Sequence, residues 1–221
     1  MPKLMRTAYL TFDCYGTLID WKKGIIDNFK TFAQFENSQN FDLFNDYVSL
    51  EAKNETGYST YSQVLASTFL SLAHKLKLNP SEKDAYGFAS SITKWPAFSD
   101  TRSALESLGK KGYKRVILSN VDRGLLEGTI RRSGLDVDGF ITAEDVKSYK
   151  PRKDHWLELL KRYDISKDEV IHVAGSIYHD IIPATEIGFR TIWVNRYGER
   201  APSKVVPTFS VNSLSEVLTI L

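Results

Sequence analysis

The chain has 221 residues, of which 42% are hydrophobic and 25% charged, and its formal net charge is +2. This length fits one domain, or one domain with an insertion, and the composition excludes the disordered, collagen-like and disulfide-scaffold classes. Because the charge is balanced, we expect no nucleic-acid partner. The single cysteine, Cys14, excludes an intramolecular disulfide and fits a reducing cytosol.

The sequence predicts no targeting or membrane segment. Its first residues lack the apolar core of a signal peptide. The longest uncharged stretch, 56–73, is rich in Ser and Thr and has apolar residues at helical spacing, which makes it too polar for a membrane span. We therefore expect a cytoplasmic protein that does not associate with a membrane.

The first part of the chain predicts one strand followed by helices. A β-like run at 6–12 ends at Asp13, and a turn at Gly16 follows. From Trp21 to Trp95 apolar residues recur at helical spacing, with Asn79-Pro80 ending a third helix and Ser81 opening a fourth.

After Pro96, strands alternate with helices. The predicted strands are 115–119, 139–142, 170–174, 191–194 and 208–211, and the predicted helices are 99–109, 123–133, 151–163, 181–187 and 214–221. Such alternation is typical of βαβ units with a parallel sheet. The predicted fold is α/β, a doubly wound (Rossmann-like) parallel core formed by 1–20 and 96–221, with a helical cap, 21–95, inserted after the first strand.

Polar residues follow four of the predicted strands. They are Asp13, the pair Ser119-Asn120, the loop residue Lys150, and Ser176 with Asp180. Ligands bind at the carboxyl ends of the strands in such sheets, so we expect these residues to form one site. A cap inserted there would close over that site and exclude water.

The segments FDCYGTLID, ILSN, SYKP and HVAGSIYHD, in this order, resemble the four motifs of the haloacid dehalogenase-like (HAD) hydrolase superfamily. The resemblance to its L-2-haloacid dehalogenase (type II) branch is closer still, includes IWVNR at 192–196, and covers essentially the whole chain. It implies a hydrolase that releases halide from a small 2-haloalkanoic acid through an aspartyl ester. The alternatives are a HAD-type hydrolase or phosphatase of another small substrate, and a catalytically lapsed relative.

The resemblance assigns the nucleophile to Asp13, since a carboxylate on a tight turn can attack carbon or phosphorus and form an ester. Phosphatases of the superfamily carry a second Asp two residues later, which protonates the leaving alcohol, and here that residue is Tyr15. A phenol with a pKa near ~10 does this poorly, whereas a halide leaves without a proton. Tyr15 therefore favours cleavage of a carbon–halogen bond, and it can also pack beneath the cap.

The same comparison bears on cofactors. The phosphatases hold magnesium with the first Asp and an acidic pair in the fourth motif, where this chain has Gly175 and Asp180. Since a hard cation needs anionic oxygen ligands, we expect no metal and no other cofactor. Magnesium remains the alternative if the protein is a phosphatase.

The resemblance also implies roles for the remaining site residues. Lys150 neutralises Asp13 or the substrate unless it is a solvated surface lysine, and Asp180 orients Lys150 or activates the hydrolytic water. The residues assigned to substrate binding are Tyr15, Thr17, Ser119, Asn120, Ser176 and Trp156. Within this set Thr17 would aim Asp13, and Asn120 could instead cap the next helix. Among the histidines we expect His172 to be structural and His74 and His155 to lie on the surface.

Three departures from the branch affect the substrate-binding groups. Its cap arginine has no counterpart, because no arginine lies between Arg6 and Arg102, and lysine is not an equivalent donor. Trp156 stands where the branch has tyrosine, and Gly175 and Ile177 stand at its serine and asparagine positions. The partner we expect is a small-molecule substrate, and a homodimer is an alternative to a monomer.

Overall fold

The computed structural model describes residues 8–36, 42–55, 57–203 and 205–221. Their packing divides the chain into two units. The first comprises the described residues of Met1–Ile19, Ala97–Asn120 and Gly134–Leu221, and the second those of Asp20–Pro96 and Val121–Ser133.

The described residues contain six strands and ten α-helices. The strands are β1 (Tyr9–Phe12), β2 (Lys114–Ser119), β3 (Gly139–Thr142), β4 (Val170–Ala174), β5 (Arg190–Val194) and β6 (Phe209–Val211). The helices are α1 (Trp21–Phe32), α2 (Leu43–Asn54), α3 (Tyr61–Lys75), α4 (Glu82–Ser91), α5 (Thr101–Lys110), α6 (Arg123–Ser133), α7 (Ala143–Val146), α8 (Asp154–Tyr163), α9 (Ile182–Ile187) and α10 (Leu214–Ile220).

All six strands of the first unit form one parallel sheet in the order β3-β2-β1-β4-β5-β6. This doubly wound topology confirms the predicted fold class. The strand order reverses between β1 and β4, so the carboxyl ends of these two strands form the topological switch point, where ligands bind in such sheets. The predicted first strand begins at Tyr9 within the described part of the chain, and residues 6 and 7 lie outside it.

The core of the first unit lies between the sheet and its helices. Strand residues such as Val116, Leu118 and Val170 are fully buried, and α8 contributes Trp156 and Leu159 to the same cluster. Helix α8 begins at Asp154. The prediction that this helix starts at Pro151 is wrong, because the chain first makes a turn after Lys150.

The second unit packs its helices around aromatic side chains. The rings of Phe69 and Phe88 stack with centroids 5.1 Å apart, and Phe88 also contacts Trp95 at 6.1 Å. Helix α1 approaches Trp95 so closely at Gly24 that a Cβ there would lie 2.4 Å from the indole. Glycine at this position therefore permits the contact between α1 and Trp95.

Helix α6 packs in the second unit, whereas the sequence-based division assigned it to the core. A Cβ on Gly128 of α6 would lie 2.8 Å from Thr93 Cγ2. The segment before α6 adds a cap to α3, since the carboxylate of Asp122 accepts hydrogen bonds from the backbone N–H groups of Tyr61 and Ser62, both at 2.9 Å. These contacts join residues 121–133 to the helices of this unit.

Within the described ranges, no helix is both long enough and apolar enough to cross a membrane.

Candidate active site

The first unit carries a buried ion triad, defined here as Asp13, Lys150 and Asp180. Lys150 Nζ lies 2.8 Å from Asp13 Oδ1 and 2.6 Å from Asp180 Oδ1, so one ammonium bridges two carboxylates. The three residues are only 7%, 2% and 1% exposed. Sequence analysis assigned these three residues to catalysis, and although they lie far apart along the chain, both carboxylates contact Lys150.

Asp13 directly follows β1 and is held by the turn after it. Its Oδ2 accepts a hydrogen bond from Thr17 Oγ1 at 2.8 Å, and Thr17 Oγ1 itself accepts one from the backbone N–H of Gly175 at 2.8 Å. The turn requires Gly16 at φ +100°, a backbone conformation that favours glycine. Thr17 thus links the Asp13 carboxylate to the loop after β4.

Lys150 is positioned by the end of β2. Its Nζ also donates to the carbonyl oxygen of Leu118 at 3.0 Å. The Asn120 amide binds the Lys150 backbone on both sides, accepting from its N–H at 2.7 Å and donating to its carbonyl at 3.0 Å. The Lys150–Pro151 peptide is cis. Lys150 is therefore a buried, fixed residue, and the solvated-lysine alternative is wrong.

Asp180 lies on a short π-helical turn, Ile177–Ile181, that follows β4. Ser176 caps this turn, because its Oγ accepts a hydrogen bond from the backbone N–H of His179 at 3.1 Å. His172 Nε2 lies 3.1 Å from Asp180 Oδ1, the oxygen that also binds Lys150. Nitrogen atoms from two different segments therefore lie within hydrogen-bond distance of one oxygen of Asp180.

The two carboxylates of the triad have pKa values displaced in opposite directions. For Asp13, burial raises the pKa more than Lys150 lowers it. For Asp180, burial is outweighed by the Lys150 ammonium and the His172 hydrogen bond, so its pKa lies below the ordinary value. Burial lowers the pKa of Lys150, but the two carboxylates outweigh burial and raise it. Lys150 thus holds its charge more firmly than an ordinary lysine, and Asp180 is the carboxylate of the triad that ionises more readily.

The residues present do not fit a magnesium site of the phosphatase type. The triad's carboxylates already accept hydrogen bonds from Lys150, and position 175 contributes no anionic oxygen. A Cβ on Gly175 would lie 2.7 Å from the carbonyl oxygen of Gly16. A side chain carboxylate at this position would therefore require the backbone of the turn to move.

The residues predicted to bind substrate occupy several environments. Tyr15 is half-buried in the turn after β1 and pairs by an isolated bridge with Ile19. Ser119 is buried at the end of β2, and its Oγ has no hydrogen-bond partner among the described residues. The Asn120 amide is occupied by the Lys150 backbone rather than by the cap of α6. Trp156 is fully buried in the core cluster, with its ring edge-on to His172 at 5.3 Å.

One histidine near the triad, His155, lies where sequence analysis did not expect it. His155 is fully buried and hydrogen-bonds the carbonyl of Ser119 at 3.2 Å, so the prediction that it lies on the surface is wrong. Burial lowers its pKa to about 3. It shares one face of α8 with Trp156 and Leu159, and this spacing was a readable signal of burial. His74 is exposed, as predicted.

This arrangement supplies the groups needed for hydrolysis through a covalent ester. It offers a carboxylate at a strand end, a buried cation beside it and a second carboxylate that stays ionised. These groups lie at the switch point of a doubly wound α/β sheet, where ligands bind. The family model described as hydrolase, haloacid dehalogenase-like hydrolase, matches residues 8–188. The chain belongs to this family.

Two curated relatives match most of the chain at equal identity. (S)-2-haloacid dehalogenase 4A of Burkholderia cepacia is 27% identical over 226 residues, covering 95% of this chain and 93% of the relative. Pyrimidine 5'-nucleotidase YjjG of Escherichia coli (strain K12) is 27% identical over 219 residues, covering 96% and 92%. The solved structures include a dehalogenase with 25% identity and a TM-score of 0.86, matched over 97% of this chain and 96% of that chain.

Proposed function

We propose that this protein is a metal-independent hydrolase that uses Asp13 as a nucleophile to release halide from a small (S)-2-haloalkanoic acid. The observation that carries the proposal is the bridging of Asp13 and Asp180 by Lys150, at a site where positions 15 and 175 carry no acid. The dehalogenase relatives support the choice of substrate class.

In the first step, a carboxylate oxygen of Asp13 attacks C2 of the substrate and the carbon–halogen bond breaks. The halide leaves with the bonding electron pair, so no general acid is required, and Tyr15 fits this step because it need not donate a proton. The Thr17 hydroxyl and the Lys150 ammonium, each 2.8 Å from an oxygen of Asp13, hold the nucleophile in place. The product of this step is an ester between Asp13 and C2.

In the second step, water attacks the Cγ carbon of the ester and the bond between Cγ and the C2-linked oxygen breaks. Asp180 orients the water by accepting its hydrogen bond, and its low pKa means that it does not retain the proton. One water proton ends on the hydroxyl of the 2-hydroxy acid and the other is released to solvent. Asp13 is regenerated with an oxygen taken from the water.

The substrate carboxylate needs donors other than a cap arginine. Ser119 Oγ is buried without a partner among the described residues, and it lies at the carboxyl end of β2. A buried hydroxyl without a partner is costly unless a ligand binds it. We assign Ser119 to the substrate carboxylate and the Asn120 amide to positioning of Lys150.

The nucleotidase relative favours a second candidate, hydrolysis of a phosphate ester. That reaction needs an acid for the leaving alcohol and, in this superfamily, magnesium. Tyr15 and Gly175 supply neither group. The dehalogenase reaction needs neither, and we therefore prefer it.

The test is halide release from (S)-2-chloropropionate in the presence of EDTA, with Asp13→Asn and Lys161→Met as comparison variants. Wild type and Lys161→Met, a change at an exposed lysine of α8, should release halide, and Asp13→Asn should lose roughly 10⁴-fold of the rate. Folding of each variant is checked by thermal denaturation.

Magnesium-dependent turnover of p-nitrophenyl phosphate without halide release would instead support the second candidate. Halide release unchanged in Asp13→Asn would refute the assigned nucleophile. A folded protein inactive on both substrates would contradict both candidates and favour a lapsed relative.

A further inference from the structure

A second polar layer lies beneath the ion triad. His172 of β4 is fully buried and sits opposite Thr11 of β1 in the parallel register. Its Nδ1 lies 2.9 Å from Thr11 Oγ1, and its Nε2 lies 3.1 Å from Asp180 Oδ1. The edge of Trp156 packs against the ring at 5.3 Å. Both ring nitrogens are thus engaged, and the ring is held by two strands and a helix.

The contact with Asp180 places a proton on Nε2 of His172. Asp180 is ionised and can only accept, so Nε2 carries the proton and donates it. Asp180 therefore selects the state in which His172 presents an N–H group to it, and the Thr11 hydroxyl, which can donate or accept, is the partner of Nδ1.

The contacts of His172 differ from those of Lys150 in one respect. Lys150 touches both carboxylates of the triad, whereas His172 touches Asp180 and not Asp13. Because both donors bind Oδ1 of Asp180, Oδ2 is the oxygen through which Asp180 would accept a hydrogen bond from water. A group that fixes this carboxylate acts chiefly on the water step, because it reaches Asp13 only through Lys150.

We propose that His172 is a positioning residue that orients Asp180 for hydrolysis of the aspartyl ester, with Thr11 holding the ring through Nδ1. This inference rests on the proposed function for its kinetic consequence. Its structural part, the Nε2–H donor bound to Asp180, holds whatever the substrate.

The kinetic test separates the two steps with (S)-2-chloropropionate. In His172→Phe, which removes the donor, the burst of halide release should stay within about 3-fold of wild type, while ester hydrolysis slows about 10- to 100-fold. The ester should then accumulate and appear by intact-mass spectrometry as one added propionate unit. His172→Gln, which retains an N–H group, should recover part of the hydrolysis rate.

Ile171→Val is the matched control, since Ile171 is a buried neighbour on the same strand whose side chain points to the other face of the sheet. Its ratio of the two rates should equal that of wild type. The positioning role would be overturned if His172→Phe slows halide release and ester hydrolysis equally. It would also be overturned if the ratio of the two rates in His172→Phe equals that of wild type. If His172→Phe does not fold, His172→Gln and Thr11→Val must show a smaller loss of rate that is confined to ester hydrolysis. If neither variant slows ester hydrolysis, the positioning role is likewise overturned.

A substrate-independent measurement keeps this inference separate from the proposed function. In ¹⁵N-labelled protein, NMR should find the proton of His172 on Nε2, and Asp180→Ala should shift the Nε2 resonance. An Nε2 without a proton would overturn the inference even if halide is released. Absence of any ester on wild-type Asp13 would refute the proposed function. The NMR result would then test only whether His172 donates a hydrogen bond to Asp180.

Discussion

Replacement of Lys150 by methionine is the perturbation that the ion triad makes most informative. Methionine has a similar length and removes only the ammonium, leaving Asp13 and Asp180 buried without a cation between them. The two carboxylates would then repel each other in a site that is nearly closed to solvent.

The contact distances indicate a large effect. With an effective dielectric constant of about 20, opposite unit charges at 2.8 Å attract by about 6 kcal/mol. Desolvation offsets part of this attraction, and removal of one partner from a buried ion pair costs about 3–5 kcal/mol. We expect Lys150→Met to lose about 3–5 kcal/mol of the free energy of unfolding at pH 8.

The unfolding free energy lost in Lys150→Met should become smaller as the pH falls. In wild type the pKa of Asp180 lies below its ordinary value. Asp180 therefore contributes its full stabilisation when the pH is above the ordinary pKa, and this contribution is lost only as the pH falls through the pKa of the folded state. In the variant the cation is absent, and the folded state relieves the repulsion by binding a proton. The difference between wild type and variant should therefore narrow as the pH is lowered from 8 to 5.

Urea denaturation at pH 8 and pH 5 measures both quantities, with Lys161→Met as the control for loss of a lysine. The control should change the unfolding free energy by less than about 0.5 kcal/mol, as is usual for exposed positions. A loss in Lys150→Met no larger than in the control, or a loss that does not change with pH, would refute the electrostatic reasoning.

Three further substitutions follow from buried contacts. Burial raises the pKa of Glu51 from 4.5 to about 7; the protonated form is favoured in the fold, so up to about 3 kcal/mol of stability is lost as the pH rises through this range. Glu51→Gln should abolish that loss in melts at pH 5.5 and 8.5. Thr17→Val should cost about 1–3 kcal/mol and lower halide release at least about 10-fold, whereas Thr17→Ser should retain most activity. Gly175→Ala should destabilise by about 1–3 kcal/mol because its Cβ meets the Gly16 carbonyl, whereas Gly124→Ala, in open space, should not.

The fold could be predicted largely from the chain's periodicity. The strands β2, β3 and β4 lie within a residue of their predicted bounds, because each is a short β-branched run between polar turns. The start of α8 could not be predicted in this way. Proline favours the first position of a helix. Here Pro151 lies instead in a turn before α8, and the Lys150 backbone N–H that precedes it donates a hydrogen bond to Asn120.

The members of the site could be predicted, but some of their contacts could not. The carboxyl ends of parallel strands meet at one edge, which brings Asp13, Lys150 and Asp180 together. Local sequence does not reveal that the Asn120 amide binds the Lys150 backbone, since this bond joins residues 30 positions apart. The His172–Asp180 contact depends on the path of the π-helical turn, which has no strong sequence signature.

The assignment of Asp13 as the nucleophile is tested most directly by a single turnover in H₂¹⁸O with enzyme in excess over (S)-2-chloropropionate. If the ester forms on Asp13 and water attacks its Cγ carbon, the label enters the Asp13 carboxylate and the first 2-hydroxy acid released contains none. Mass spectrometry of the peptide that carries Asp13 and of the product reads both positions. Label in the first product, with none in the peptide, would contradict the ester mechanism, since water would then have displaced the halide directly.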